Sequence, residues 1–172
     1  MFDFEMKHLL EYTAWEREQW RTWFLEQGPS ALAVDLGPHA DGPVKNAGEL
    51  LRHIFAAEQR YVDRIRGVPV TDPSALPSGD VEALFAFGRR SRAALEELLA
   101  TFPTERWDVP QEVKIGPQAM KVTPRKMVAQ AVTHEMRHWA QLAVFLRISG
   151  RKPGPRDLLV SPVFDPPVAG RR

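Results

Sequence analysis

The 172-residue sequence contains no cysteine, which excludes disulfides, a thiolate metal site and a cysteine nucleophile, and fits a reducing compartment. It has no apolar run approaching the roughly 18–20 residues of a membrane span. Its opening stretch, MFDFEMKHLLEY, is broken by Asp3, Glu5 and Lys7, so it lacks the continuous apolar core of a signal peptide. A soluble, cytoplasmic protein with no membrane partner is expected. An excess of charge of one sign is also missing: 23 Lys and Arg stand against 22 Asp and Glu, which gives no electrostatic pull toward nucleic acid. There is no internal repeat and no low-complexity segment. The length implies one domain, large enough to bury about two-thirds of the surface of its unfolded chain without a covalent staple.

The 15 prolines fall between and after the apolar-periodic segments and act as punctuation. Four such segments have helical spacing. The first runs from about Phe4 to Gln27, with Asp3 as N-cap, an apolar series at Leu9, Tyr12, Trp15, Trp20, Trp23 and Phe24, and a stop at Gly28-Pro29. A loop is expected from there to about Lys45. The second helix starts at the cap Asn46, carries Leu50, Ile54, Ala57, Tyr61 and Ile65 on its apolar stripe, and ends at Gly67 before Pro69. The third spans about Asp80 to Thr101, with Val81, Leu84, Phe85, Phe87, Leu95, Leu98 and Leu99 facing inward. In the insert that follows, Val113 and Ile115 alternate with polar neighbours, Gly116-Pro117 signals a turn, and Met120 and Val122 alternate again, the pattern of a short β-hairpin. The fourth helix is the best marked: Thr123 is its N-cap, Pro124 its first residue, and Gly150 lies beyond its end near Ser149. The proline-rich stretch 151–172 is expected to be an extended tail on a domain formed by 1–150. Four long helices and no strand series give an all-α fold, an antiparallel four-helix bundle with a hairpin-like insert before the last helix.

Of the five histidines, His134 and His138 are the informative pair. Four residues apart on a helix, they share the inward face with Met127 and Ala131. Two imidazoles on an apolar stripe are costly unless their nitrogens are satisfied, and one cation can satisfy both. His-Glu-Met-Arg-His also fits the H-E-x-x-H pattern of zinc peptidases. That chemistry needs a third ligand downstream, and no His follows His138 and no Glu follows Glu135. Glu5-Met-Lys-His8 and Glu135-Met-Arg-His138 fit the Glu-x-x-His spacing of di-iron bundles, but on the first and last helices, leaving His53 and His134 without roles. The third ligand must therefore come from upstream, and His53, at the border of the second helix's stripe, is the candidate; on its own position it reads equally as a surface histidine. His39 falls in a loop, and His8 is either behind the ligands or exposed.

Three stretches of the chain, LLEYTAWEREQW, AGELLRHIFAAEQRYVDRI and TPRKMVAQAVTHEMRHWAQLAVFLRISGRKP, resemble the DinB-like (DinB/YfiT) family of helical-bundle metalloenzymes. The third is the most specific. His53 matches the family's first ligand, and His134 and His138, followed by Gln141, look like its second and third. The resemblance implies a bundle with a long crossover connection, one divalent metal ion on His53, His134 and His138, and homodimers. It also implies relatives that are metal-dependent thiol transferases and isomerases using low-molecular-weight thiols. Zinc, nickel and iron all suit imidazole ligands. With three neutral imidazoles, coordination positions stay open, as in catalytic rather than structural sites. The expected activity is activation of a thiol, or of water, for transfer to a small electrophilic substrate, with hydrolase chemistry as the water-based version. The alternative is a metal-binding bundle or small-molecule binding module without turnover. Glu135 is not assigned the role of base; Arg137 and Gln141 are candidates for binding a carboxylate or orienting a ligand.

Overall fold

The structure, a computed structural model, describes residues 4–37 and 44–165. Four long helices form the body: α1 (Met6–Gln27), α3 (Ala47–Arg66), α4 (Val81–Thr101) and α5 (Pro124–Ile148), with a single short turn of helix, α2 (Pro29–Leu32), between the first two. Strands β1 (Gln111–Ile115) and β2 (Gln118–Val122) form an antiparallel hairpin before α5, with Val113 opposite Met120. None of the helices is long and apolar enough to cross a membrane.

The ends of the helices follow from local chemistry. Asn46, Asp80 and Thr123 each accept a hydrogen bond from the backbone N–H three residues on, satisfying a donor that the first turn leaves unpaired. Gly67 closes α3 in the left-handed conformation at φ 70°. Asp3 lies outside the described residues; α1 is capped instead by Glu5, whose backbone N–H donates to His8 Nδ1 at 3.0 Å in a capping box. His8 is thus a cap residue, packed on Phe164, and among the described residues it is not in the group formed by His53, His134 and His138. The segment expected to be loop before Lys45 contains α2, which Pro29 opens at N1 and whose Ala31 and Leu32 are buried.

α1 lies against α4 and α5, and α3 against the same two, so α1 and α3 are diagonal. Contacts fix the directions. Arg21 meets Glu82 while Arg92 meets Leu10, so α1 and α4 are antiparallel; His53 meets His134 while Ile65 packs with Met127, so α3 and α5 are as well. Phe55 meets Phe85 and Arg66 meets Glu97, so α3 and α4 run parallel. That demands the long crossover. A 20-residue helix is about 30 Å long, and the 13 residues 67–79 can span roughly 43 Å, enough to return to the start of α3. They return closely: a Cβ on Gly48 would stand 1.9 Å from the Ser78 carbonyl oxygen, so only glycine fits there.

The core has two parts. One gathers Trp20, Phe24, Leu51, Phe55, Phe85, Trp139 and Leu142; the other, toward the hairpin, gathers Val62, Ile65, Leu95, Leu98, Val113, Met127 and Val128. Leu9, Tyr12 and Trp15 are only half-buried, and the innermost residues of α1 include Thr13, Glu16 and Arg17. Residues 151–165 cross the α1/α5 face, where Tyr12 Oη donates to the Arg156 carbonyl at 2.6 Å and Pro153 is buried.

Candidate metal centre

α3 and α5 bring His53, His134 and His138 together. The Nε2 atoms of His53 and His134 are 3.1 Å apart, and those of His138 and His134 are 3.0 Å apart. One ligand nitrogen from each of the three lies within 4.8 Å of the others. Two nitrogens bound to one tetrahedral zinc stand about 3.4 Å apart, from bond lengths of about 2.0–2.1 Å, so the cluster is close to the spacing one cation requires. His138 is buried, and His53 and His134 are partly so. His39 lies outside the described residues.

The electrostatics favour ligation. Burial, then the neighbouring His138 and His53, push His134 down to about 3, so it is neutral at physiological pH with a lone pair to offer. His138 Nδ1–H donates to Gln141 Oε1 at 2.8 Å. This hydrogen bond fixes the tautomer and leaves the His138 Nε2 lone pair facing the other two rings. Without a cation between them three Nε2 atoms crowd one another; His134 Nδ1, which a cation on the Nε2 atoms would not reach, is also buried with no partner. The donor set, three imidazoles with no carboxylate in the group, fits a divalent transition-metal ion. Gln141, considered from the sequence as a ligand-orienting residue, orients His138.

Neither decoy motif forms its site. Glu135 is buried, with both carboxylate oxygens engaged: Arg17 grips it through Nε at 2.6 Å and Nη2 at 2.7 Å, Arg92 Nη2 donates at 2.9 Å, and Trp139 Nε1–H at 3.0 Å. Burial pushes the Glu135 carboxyl up, but Arg17 and Arg92 outweigh it and hold the group below the usual carboxylate range. A carboxylate so pinned cannot act as a base at the neighbouring histidines. Glu5, the other member of the Glu-x-x-His pair, is exposed and caps α1.

The sequence reading did not anticipate the assembly that holds Glu135. Arg17 of α1, Glu58 of α3, Arg92 of α4 and Glu135 of α5 form a buried quartet of two cations and two anions, one from each long helix. Ser91 Oγ donates to Glu58, and Arg17 and Arg92 also reach the carbonyls of Gly88 and Leu10, so the quartet's remaining hydrogen-bonding capacity is largely used. The signal was present: each of the four charges interrupts an apolar stripe, as Glu58 does one turn after Ile54 and before Val62. The quartet and the histidines use adjoining faces of α5, so the contacts that orient Glu135 also set the rotation of the helix that carries His134 and His138.

No curated protein matches this sequence. The family model of the DinB superfamily matches residues 13–142, a span that contains all three histidines and the whole quartet, and the chain belongs to that superfamily.

Proposed function

We propose that the protein is a metal-dependent enzyme in which His53, His134 and His138 hold one divalent cation, zinc, nickel or iron, and a thiol or water is activated there for transfer to a small electrophilic substrate. The observation that carries this reading is the convergence of three imidazole Nε2 atoms from two helices, with the His138 tautomer set by Gln141. Among the described residues the group has three members, one fewer than a closed structural site uses. A cation held there would supply Lewis acidity that lowers the pKa of a thiol or water brought to it. The chain contributes no cysteine, so a thiol would enter as cosubstrate. Its own residues supply position: the three rings define the point of attachment, Gln141 keeps one lone pair aimed at it, and the quartet behind α5 fixes the helix.

The quartet also bears on the reading in which a metal merely props up the core. Charge pairs already tie all four helices to one another, so a staple at the histidines would be redundant.

Elemental analysis of the purified protein beside His53→Ala and His134→Ala tests the site; one equivalent of metal in the parent and little in either variant is expected. Turnover of thiol–electrophile pairs by the metal-loaded parent, lost in His134→Ala at unchanged helix content, tests the chemistry. A chain that takes up no divalent ion under any loading condition refutes both. The homodimer implied by the family is measured by light scattering of the same preparations.

A further inference from the structure

A cavity of about 320 Å³ lies between α1, α5 and the tail segment 154–157. It opens on the side of α5 away from the histidines: residues 136, 140, 143 and 147 are displaced by roughly half a turn from His134 and His138 at 100° per residue. One wall is apolar, formed by Met136, Ala140, Ala143 and Val144. The remaining walls carry two guanidinium groups, Arg147 at the end of α5 and Arg156 in the tail.

These two arginines stand outside the ion pairs of the fold. Among the described residues no carboxylate lies within ion-pair distance of either. Arg156 bonds only to the carbonyls of Gly154 and Gln19, at 2.8 and 3.5 Å, and its Nε is buried without an acceptor. Burial, and then the charge of Arg147, hold its affinity for a proton down, against the pull of Glu16. Stacking on Trp20, 3.8 Å from the ring centroid, accounts for where the Arg156 side chain lies but leaves its charge uncompensated. Two carboxyl groups share the lining, Glu16 and Asp157; burial raises Glu16 to about 7, so at neutral pH it carries only a partial charge. The lining therefore offers one unpaired buried donor, Arg156 Nε, and two guanidinium groups beside the carboxyls of Glu16 and Asp157 at one end, and an apolar surface at the other.

We infer that this cavity binds a small organic carboxylate, its anionic end between Arg147 and Arg156 and its apolar body against Met136, Ala140 and Ala143. The apolar wall selects a monoanion with a hydrocarbon portion over a bare inorganic anion. The site is separate from the histidine cluster, with α5 between them.

The test is calorimetric and fluorescence titration, with Trp20 and Trp139 as reporters, using 4-phenylbutyrate as the probe on chelator-treated protein so that no carboxylate is taken up by a metal. Saturable binding is expected. It should weaken at least about tenfold in Arg147→Ala, the loss that follows from removing a hydrogen-bonded charge, and vanish in Ala140→Trp, where a large side chain on an exposed position fills the space. The neutral 4-phenylbutyramide should bind at least about tenfold more weakly on the same ground. No saturable binding of the carboxylate up to about 10 mM, a Kd too weak to be specific, overturns the inference. So does binding that neither variant alters. Equal binding of the amide, or tighter binding of 4-phenylbutylamine, overturns the assignment of an anion.

Discussion

Glu135→Gln separates two accounts of the same residue. As the glutamate of an H-E-x-x-H motif it would be a base, and the amide would abolish turnover while leaving the fold untouched. In the structure it is one of two anions that neutralise two buried arginines, and the amide should damage the fold first. The substitution leaves Arg17 and Arg92 with Glu58 alone, a net buried positive charge. It also places an NH2 group where one oxygen accepts from guanidinium N–H groups at 2.6–2.9 Å. Removing one partner from a buried ion pair costs about 3–5 kcal/mol, mostly because the other charge stays behind. For a domain of this size each kcal/mol is worth about 2–4 °C in Tm, so a fall of about 6–20 °C is expected. Urea unfolding followed by circular dichroism gives the corresponding change in midpoint. It should be measured on chelator-treated protein, since a bound ion would add its own stabilisation by mass action. A variant that unfolds within about 1 kcal/mol of the parent would refute the reasoning, because the quartet would then have no measurable part in holding the four helices together.

Three further outcomes are expected. Gln141→Leu frees the His138 ring to change tautomer and should weaken metal binding about 10–100-fold with little effect on the melting of the metal-free protein, as read by competition with a chromogenic chelator. Glu16 has its carboxyl raised from 4.5 to about 7 by burial, with Glu135 adding to that effect and Trp20, Arg156 and Tyr12 opposing it. The folded state therefore holds a proton between those pH values that the unfolded chain has released, and this group makes the protein more stable as pH falls through that window. Glu16→Gln should accordingly stabilise by about 1–3 kcal/mol at pH 8, and the gain should be gone at pH 4.5, in melting curves taken across the range. Gly48→Ala forces a methyl group against the Ser78 carbonyl, 1.9 Å from where a Cβ would lie, and should cost several kcal/mol, about 2–4 or more, by displacing the crossover; exposed Gly79→Ala, with open space around it, is the control and should stay within about 1 kcal/mol.

The four long helices, the hairpin insert and the capping residues Asn46 and Thr123 were legible in the sequence, because each follows from local chemistry: a period of 3.6, a period of 2, a side-chain oxygen three residues before an unpaired N–H. The histidine pair on α5 was legible for the same reason, since i, i+4 spacing is a local fact. His53 was not, on its own position, because its use depends on how α3 is rotated about its axis, and that is decided by residues elsewhere in the chain. The inner face of the first half of α1 was misread for a related reason, while Trp20, Trp23 and Phe24 are buried as expected. Reading burial from hydrophobicity favoured Leu9, Tyr12 and Trp15, whereas the face that meets the bundle centre carries Thr13, Glu16 and Arg17. A lone arginine on a helix reads as solvated until three other stripes are seen to be interrupted by charges that could meet it.

That complementarity has a consequence for how α3 comes to face α5 with its histidine turned inward. Apolar stripes specify which face of a helix is buried but tolerate sliding and small rotations, since one leucine packs nearly as well as its neighbour. A bidentate Arg17–Glu135 pair and an Arg92 shared between Glu58 and Glu135 tolerate neither, because a shift of one turn would bury unpaired charge. Glu58 lies five residues after His53 and Glu135 lies next to His134, so fixing the two carboxylates against the arginines fixes the two helices that carry the imidazoles. The three Nε2 atoms must meet within a few tenths of an ångström to share a cation. A purely apolar core would leave that tolerance to chance, whereas the quartet ties it to the electrostatic cost of misalignment.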